Sequence, residues 1–141
     1  RLGEIERFLQ GQPMPSTAIF VNSEEDVIPL AEQLDRLLIE NNLRVVACSQ
    51  GQIVGQDTDI RVFDIQHIKG LEFEAVFFVG IDRLAEKYPT LFDKYLYVGA
   101  TRAATYLGLT CNHRLPRIIE SLRSQFTSDW SAPTGKNEGA R

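Results

Sequence analysis

Cysteine, methionine and long apolar runs are all scarce in this chain of 141 residues. Its two cysteines, Cys48 and Cys111, form neither a disulfide framework nor a metal-ligand set, so we expect reduced core thiols and no metal site. No apolar run approaches the roughly 18 residues of a membrane span, which indicates no membrane partner. No signal peptide opens the chain, and together with the reduced thiols this favours a cytoplasmic protein.

Methionine occurs once, at Met14, while the first residue is Arg1. We therefore expect a piece of a longer protein, with a processed mature chain as the alternative. The length fits one domain with a sizeable core. A hydrophobic content of 43% and a charged content of 24% are ordinary for a globular protein.

An excess of basic charge is also missing, because the net charge is −4. This argues against a protein that coats DNA on its own. The charge is uneven, with four basic and ten acidic residues in 1–60 but nine basic and seven acidic residues in 61–126. A phosphate backbone could approach the second part most easily, although a solvated surface explains the asymmetry about equally well.

Apolar runs and helical spacing predict the order strand, helix, strand, strand, strand, helix, strand, helix, after a short helix within 1–16. The predicted strands are 17–21, 44–48, 60–65, 75–79 and 105–111. The predicted helices start near Asp26, which places Pro29 in the first turn, near Thr90, which has capping-box spacing to Asp93, and at Pro116. Strands without polar members suit a parallel sheet that is covered on both faces. The predicted fold class is therefore α/β, with a mostly parallel sheet of about five strands.

A first informative string, Lys69-Gly70-Leu71-Glu72-Phe73, stands just before an apolar strand. Because the stretch from Gln66 follows strand 60–65, we expect it at the carboxyl edge of the sheet, where ligands bind. Gly70 permits a tight turn or a close approach to a ligand, and Lys69 suits phosphate. The carboxylate of Glu72 is compatible with a nucleotide ligand if it accepts hydrogen bonds from ribose hydroxyls or orients a nearby arginine. A surface turn that needs a glycine is the simpler interpretation.

A second string, Tyr97-Val98-Gly99-Ala100-Thr101-Arg102-Ala103, lies near the end of a predicted helix. Arg102 lies at the far end of an apolar stripe, so its side chain should be held in place. Gly99 costs about 1 kcal/mol relative to alanine in mid-helix, which suggests that close packing requires it. Thr101 should bond locally to the backbone. The simpler interpretation makes Arg102 a cation that interacts with the helix dipole.

Together the two strings resemble motifs V and VI of superfamily 1 helicases of the UvrD/Rep/PcrA group. The resemblance covers about residues 17–112, with strong motifs in 62–103. It implies a RecA-like three-layer sandwich that forms the C-terminal, second motor domain of such an enzyme. On fold grounds alone, a flavodoxin-like binder of small molecules fits the element order equally well.

The resemblance also implies roles for individual residues. Arg102 would be the catalytic arginine finger, aimed at the γ-phosphate of ATP. Gly70 and Glu72 would contact the nucleotide together with Arg102. The family usually has histidine where Gln66 stands, and here the histidine comes one residue later. The contacts to single-stranded DNA, or to RNA, would come from Gln66, His67 and Lys69.

Two parts of an ATPase are missing. No Gly-x-x-x-x-Gly-Lys-[Ser/Thr] string occurs, and no strand ends in a pair of acids suited to a Walker B motif. ATP with Mg²⁺ would therefore be bound mainly by the N-terminal RecA-like domain of the same protein, and this chain alone should be inactive. We expect the RecA-like domain in 1–126 and a flexible tail in 127–141. The alternative function is a non-catalytic RecA-like interaction module that docks to nucleic acid or a polymerase.

Overall fold

The computed structural model of the chain describes residues 15–112, 114–121, 123–125 and 127. The chain divides into two units. One is Pro15–Arg114, and it contains the whole sheet. The other combines 1–14 with 115–141 and holds a short helix, Arg117–Glu120. The predicted helix in 1–16 and nearly all of the predicted tail lie outside the described residues.

A single sheet of five strands organises the larger unit, in the order β2-β3-β1-β4-β5. All four strand pairings are parallel. The predicted fold class, an α/β protein with a mostly parallel sheet, is confirmed. The strands are β1 (Thr17–Val21), β2 (Val45–Ala47), β3 (Ile60–Asp64), β4 (Phe73–Phe78) and β5 (Ala103–Leu109).

Three helices accompany these strands: α1 (Val27–Leu38), α2 (Ile81–Lys87) and α3 (Phe92–Ala100). Helix α1 contacts β2 and β3, while α3 contacts β4 and β5. Every residue of β1 and β3 is buried, so both faces of these inner strands are covered. None of the described helices is both long and apolar enough to cross a membrane.

Four phenylalanines form the centre of the core. The Phe20 ring lies edge-on to the rings of Phe63, Phe73 and Phe78, with centroid separations of 6.3, 6.4 and 5.5 Å. All four side chains are at least 95% buried. Edge-to-face contacts of this kind stabilise a core beyond simple burial of area. The cluster joins the three central strands β3, β1 and β4.

The first helix is close to the prediction and the second differs from it. Helix α1 begins at Val27, directly after Asp26, so Pro29 lies in its first turn as predicted. Helix α3 begins later than expected, at Phe92, and Leu91 is its N-terminal flanking residue without a side-chain cap. The predicted capping box is therefore wrong, because the last residues before Phe92 form a turn instead of helix.

Helix α2 was not predicted. It follows β4 after two residues, Val79 and Gly80, and the φ of 71° at Gly80 turns the chain sharply from strand into helix. Only a glycine takes that conformation without strain. The helix is seven residues long, which is too short for helical spacing to be clear in the sequence.

The two cysteines lie just beyond strands instead of within them. Cys48 follows β2 and is fully buried, whereas Cys111 follows β5 and is half-buried. Neither forms a disulfide. Of the two thiols predicted to lie in the core, only Cys48 does, and their reduced state stays a prediction.

The burial of Cys48 predicts a difference in thiol reactivity. Burial raises the pKa of the Cys48 thiol, so less of the reactive thiolate is present at a given pH. We expect iodoacetamide to modify Cys111 well before Cys48 in the native chain, as measured by mass spectrometry of tryptic peptides. In concentrated urea both thiols should react at similar rates. Equal rates in the native chain would contradict the buried position of Cys48.

Candidate nucleotide and nucleic-acid sites

The segment 65–72, called the crossing segment below, runs over the sheet from the carboxyl ends of the strands (the carboxyl edge) to their amino ends (the amino edge). It starts at the carboxyl edge, because Asp64 at the end of β3 pairs with Val21 at the end of β1. It ends at the amino edge, because Ala75 pairs with Thr17, the first residue of β1, and β4 begins two residues earlier at Phe73. Two buried residues, Ile65 and Ile68, attach this crossing segment to the core.

A tight turn closes the crossing segment. The backbone N–H of Leu71 donates to the carbonyl of Ile68 at 3.2 Å, which makes Lys69 and Gly70 the central residues of a β-turn. Gly70 has a φ of 81°, as the third position of a type II turn requires. A Cβ atom built on Gly70 would meet no heavy atom within 4 Å. The glycine is therefore needed for the turn, and its surroundings leave room for a ligand.

Arg102 is held at the amino edge by backbone carbonyls. Its Nε donates to the carbonyl of Val98 at 3.1 Å, and its Nη1 donates to the carbonyl of Leu71 at 3.2 Å. The backbone N–H of Phe73 donates to the carbonyl of Arg102 at 2.8 Å. The side chain is half-buried. The expectation that this guanidinium is held in place is confirmed, and these bonds join the two sequence motifs directly.

The close packing predicted for Gly99 is also confirmed. A methyl group at this position would overlap the ring of Phe78 and come within 2.9 Å of Ile65 Cδ1. The glycine lets α3 lie directly against β4 and the start of the crossing segment. Thr101, as predicted, bonds locally, with its hydroxyl donating to the carbonyl of Val98 at 2.8 Å.

The structure brings Gly70, Glu72 and Arg102 together at the amino edge. The expectation that the whole first motif lies at the carboxyl edge is therefore wrong for its second half. The physical reason is that the turn at Gly70 comes after the chain has already crossed the sheet. Glu72 is exposed. Among the described residues no ion pair joins it to Arg102, so the carbonyl of Leu71 orients the guanidinium instead.

Gln66 and His67 lie at the opposite, carboxyl edge. The Gln66 side chain donates to the hydroxyl of Tyr88. His67 Nδ1 lies 3.3 Å from Glu24 Oε1. Both residues are exposed, as is Lys69, the first central residue of the turn. The six predicted site residues thus form two groups. The residues predicted to contact a nucleotide lie at the amino edge, and those predicted to contact nucleic acid extend from the carboxyl edge to the turn at Lys69.

Sequence analysis missed the residues that support His67. Glu24 Oε2 accepts a hydrogen bond from the backbone N–H of Gln50 at 2.8 Å. Gly51, with a φ of 80°, packs so closely on His67 that a Cβ would lie 2.9 Å from its carbonyl oxygen. The sequence carries one signal for such a close backbone approach, the pair of glycines Gly51 and Gly55.

Comparisons with known proteins report similarity over the part of the chain that contains both motifs. The sequence profile of the UvrD-like helicase C-terminal domain matches residues 59–110, which include both motifs. The predicted resemblance to UvrD-type helicases is thereby confirmed for this segment.

The fold agrees with one solved structure in particular. It is similar to the C-terminal domain of a possible DNA helicase from Lactobacillus plantarum WCFS1, with a TM-score of 0.52 and 23% sequence identity. The similarity covers 84% of this chain, and the chain spans 65% of the length of that domain. No curated protein sequence matches the chain. Residues 59–110 are therefore similar to a helicase C-terminal domain, and most of the chain shares the α/β fold of the solved domain, consistent with a RecA-like fold.

Proposed function

We propose that this chain is the second motor domain of an ATP-dependent helicase or translocase. The observation that carries the proposal is the fixed guanidinium of Arg102, bonded to the first motif at the edge where Gly70 and Glu72 lie. An arginine finger must be positioned before the reaction, because its stabilisation of the transition state then needs no reorganisation. The two carbonyls that hold Arg102 supply that positioning.

The guanidinium keeps donors for a ligand. An arginine side chain has five N–H donors, and the described hydrogen bonds of Arg102 use one on Nε and one on Nη1. The remaining N–H groups can serve the oxygens of a γ-phosphate, where such arginines contribute roughly 10³–10⁵ in rate. The half-buried position limits competition from water, which strengthens the charge–charge interaction.

Gly70 and Glu72 fit a nucleotide beside this arginine. The open space around Gly70 allows a ligand to approach the backbone closely. The exposed Glu72 carboxylate can accept hydrogen bonds from the ribose hydroxyls. ATP and its Mg²⁺ would be bound mainly by the N-terminal RecA-like domain of the same protein, with Arg102 acting from this side of the cleft. The chain alone would not hydrolyse ATP.

Gln66 and His67 would contact single-stranded DNA or RNA at the carboxyl edge, and Lys69 would contact it from the turn that ends the crossing segment. The crossing segment connects these residues to the nucleotide residues through a short stretch that contains the buried Ile68. Closure of the interdomain cleft on ATP would therefore move both groups as one body. Alternation of closure and opening would shift the contacts along the strand.

A salt titration tests the nucleic-acid side of the proposal. Lys69→Gln in the full-length protein should weaken binding to an oligothymidylate and reduce the slope of log K against log salt by about 0.7. The slope falls because one phosphate contact and its released counterion are lost. Fluorescence anisotropy at several NaCl concentrations measures it.

A matched lysine serves as the control. Lys94 is also exposed, but it lies on α3 and belongs to neither group of predicted site residues. Lys94→Gln should leave the slope unchanged. If the two variants behave alike, Lys69 does not contact the phosphate backbone and the assignment of this segment fails.

A further inference from the structure

Three metal-ligating side chains meet at the carboxyl edge, at the ends of β1 and β3. They are Glu24, in the turn that follows β1, Asp64, the last residue of β3, and His67, in the turn after β3. Their ligand atoms all lie within 4.8 Å of one another. Sequence analysis expected no metal site. It could not see this cluster, because Glu24 and His67 are 43 residues apart in the chain.

Asp64 is the most buried of the three ligands. Its side chain is only 3% exposed. One carboxylate oxygen, Oδ1, accepts a hydrogen bond from the backbone N–H of Gln66 at 3.0 Å. The other, Oδ2, lies 3.7 Å from His67 Nδ1, within ion-pair distance. No buried side-chain oxygen among the described residues lacks a hydrogen-bond partner, so the case for a cation is that this largely buried carboxylate lies with a second carboxylate and an imidazole within 4.8 Å.

The other two ligands, Glu24 and His67, are fixed by backbone contacts on one side and accessible to solvent on the other. The second oxygen of Glu24 is anchored to the backbone of Gln50, and Gly51 packs against the backbone of His67. The side chains of Glu24 and His67 are 32% and 40% exposed. Solvent therefore reaches the cluster from one side, where water or a phosphate oxygen can complete a coordination sphere.

We propose that Glu24, Asp64 and His67 bind a divalent transition-metal ion of the Mn²⁺ or Zn²⁺ class. Two carboxylates and one imidazole suit these ions, whereas sites for Ca²⁺ use oxygen ligands alone. The charge of the ion offsets the two carboxylates. This site lies at the edge opposite Arg102, so it is separate from the Mg²⁺ that accompanies ATP and goes beyond the proposed motor function.

Metal binding has a consequence for the nucleic-acid edge, and this consequence rests on the proposed function. Without an ion, Glu24 and Asp64 present negative charge next to His67, where phosphates are proposed to bind. A divalent ion with an open coordination position neutralises that local charge and can bind a phosphate oxygen directly.

Calorimetric titration of the 141-residue chain with MnCl₂ tests the site. We expect one ion per chain, and an affinity at least about tenfold lower in Glu24→Gln and in Asp64→Asn, since each removes an anionic ligand. Glu25→Gln is the matched control, because this neighbouring carboxylate is exposed and outside the cluster. Glu25→Gln should bind Mn²⁺ as the unmodified chain does. Equal affinity in all four proteins would overturn the proposal.

Magnetic resonance supplies a second readout that does not depend on the buried Asp64 variant folding. The chain has two histidines, His67 and His113. Substoichiometric Mn²⁺ should broaden the ring signals of His67 first, and Glu24→Gln should abolish that preference while circular dichroism shows an intact fold. Broadening of His113 alone would refute the site.

Binding of a phosphate oxygen of the strand by the metal ion, called the phosphate bridge below, is tested separately in the full-length protein. At constant ionic strength, Mn²⁺ should strengthen oligothymidylate binding in the unmodified protein and in Glu25→Gln but not in Glu24→Gln. If Mn²⁺ binds at His67 and strand binding does not respond, the bridge is wrong while the metal site stands. If strand binding is absent under all conditions, the proposed function fails instead.

Discussion

Arg102→Ala in the full-length protein should reduce ATP turnover by roughly 10³–10⁵, while nucleotide affinity changes much less. The reason is that the guanidinium would stabilise charge that develops in the transition state, so its loss affects kcat more than ground-state binding. Steady-state ATPase assays, together with titration of a fluorescent non-hydrolysable nucleotide, measure the two effects.

Two variants serve as controls for this prediction. Arg36→Ala removes an exposed arginine from α1 and should leave turnover unchanged. Arg102→Lys keeps a positive charge but loses the planar fork that bonds Val98 and Leu71, so it should rescue turnover only in small part. Near-normal turnover in Arg102→Ala would refute the arginine finger and favour the non-catalytic interaction module.

Loss of folding must be separated from loss of catalysis in this variant. Arg102→Ala removes one hydrogen bond to Val98 in α3 and one to Leu71 in the crossing segment, each worth about 1 kcal/mol. Turnover should therefore be measured well below the unfolding temperature of the variant. A structural effect alone would weaken nucleotide binding and turnover together, whereas a finger changes mainly turnover.

Gly99→Ala should destabilise the domain by about 2 kcal/mol, which is a steric cost of about 3 kcal/mol less a gain in helix propensity of about 1 kcal/mol. The new methyl group would overlap the ring of Phe78 and approach Ile65. Urea unfolding followed by circular dichroism gives the free energy of unfolding, and the m value should not change.

The sign of the Gly99→Ala effect is decisive, because helix propensity alone predicts a more stable protein. Gly70→Ala is the comparison. There the methyl group meets nothing within 4 Å, and only the φ of 81° opposes it, so a smaller loss of about 1 kcal/mol is expected. An increase in stability for Gly99→Ala would mean that α3 does not pack against β4 as described.

The sequence allowed the sheet and the motif residues to be predicted for a common reason. A fully buried strand such as β1 shows a continuous apolar run, and its bounds were predicted without error. The strings around Gly70 and Arg102 combine residue types that few structural roles require together. Such local signals do not depend on how the chain folds at a distance.

The remaining features depend on contacts between distant parts of the chain. Glu24 lies beside His67 only because β1 and β3 are neighbours in the sheet. The edge at which Arg102 lies follows from the pairing of Ala103 with Phe73, and no spacing within the motif reveals that pairing. The seven-residue helix α2 has too few turns to show a period.

The central position of β1 has a consequence for biosynthesis. Both of its hydrogen-bonding partners, β3 and β4, come later in the chain, and the second of them ends only at Phe78. During translation the unpaired edges of β1 must therefore wait for more than fifty further residues to leave the ribosome. Until then the nascent chain exposes an apolar strand that can pair wrongly. Folding of this domain should therefore depend on chaperones, and the backbone of β1 should become protected from wrong pairing late in synthesis and in a single step.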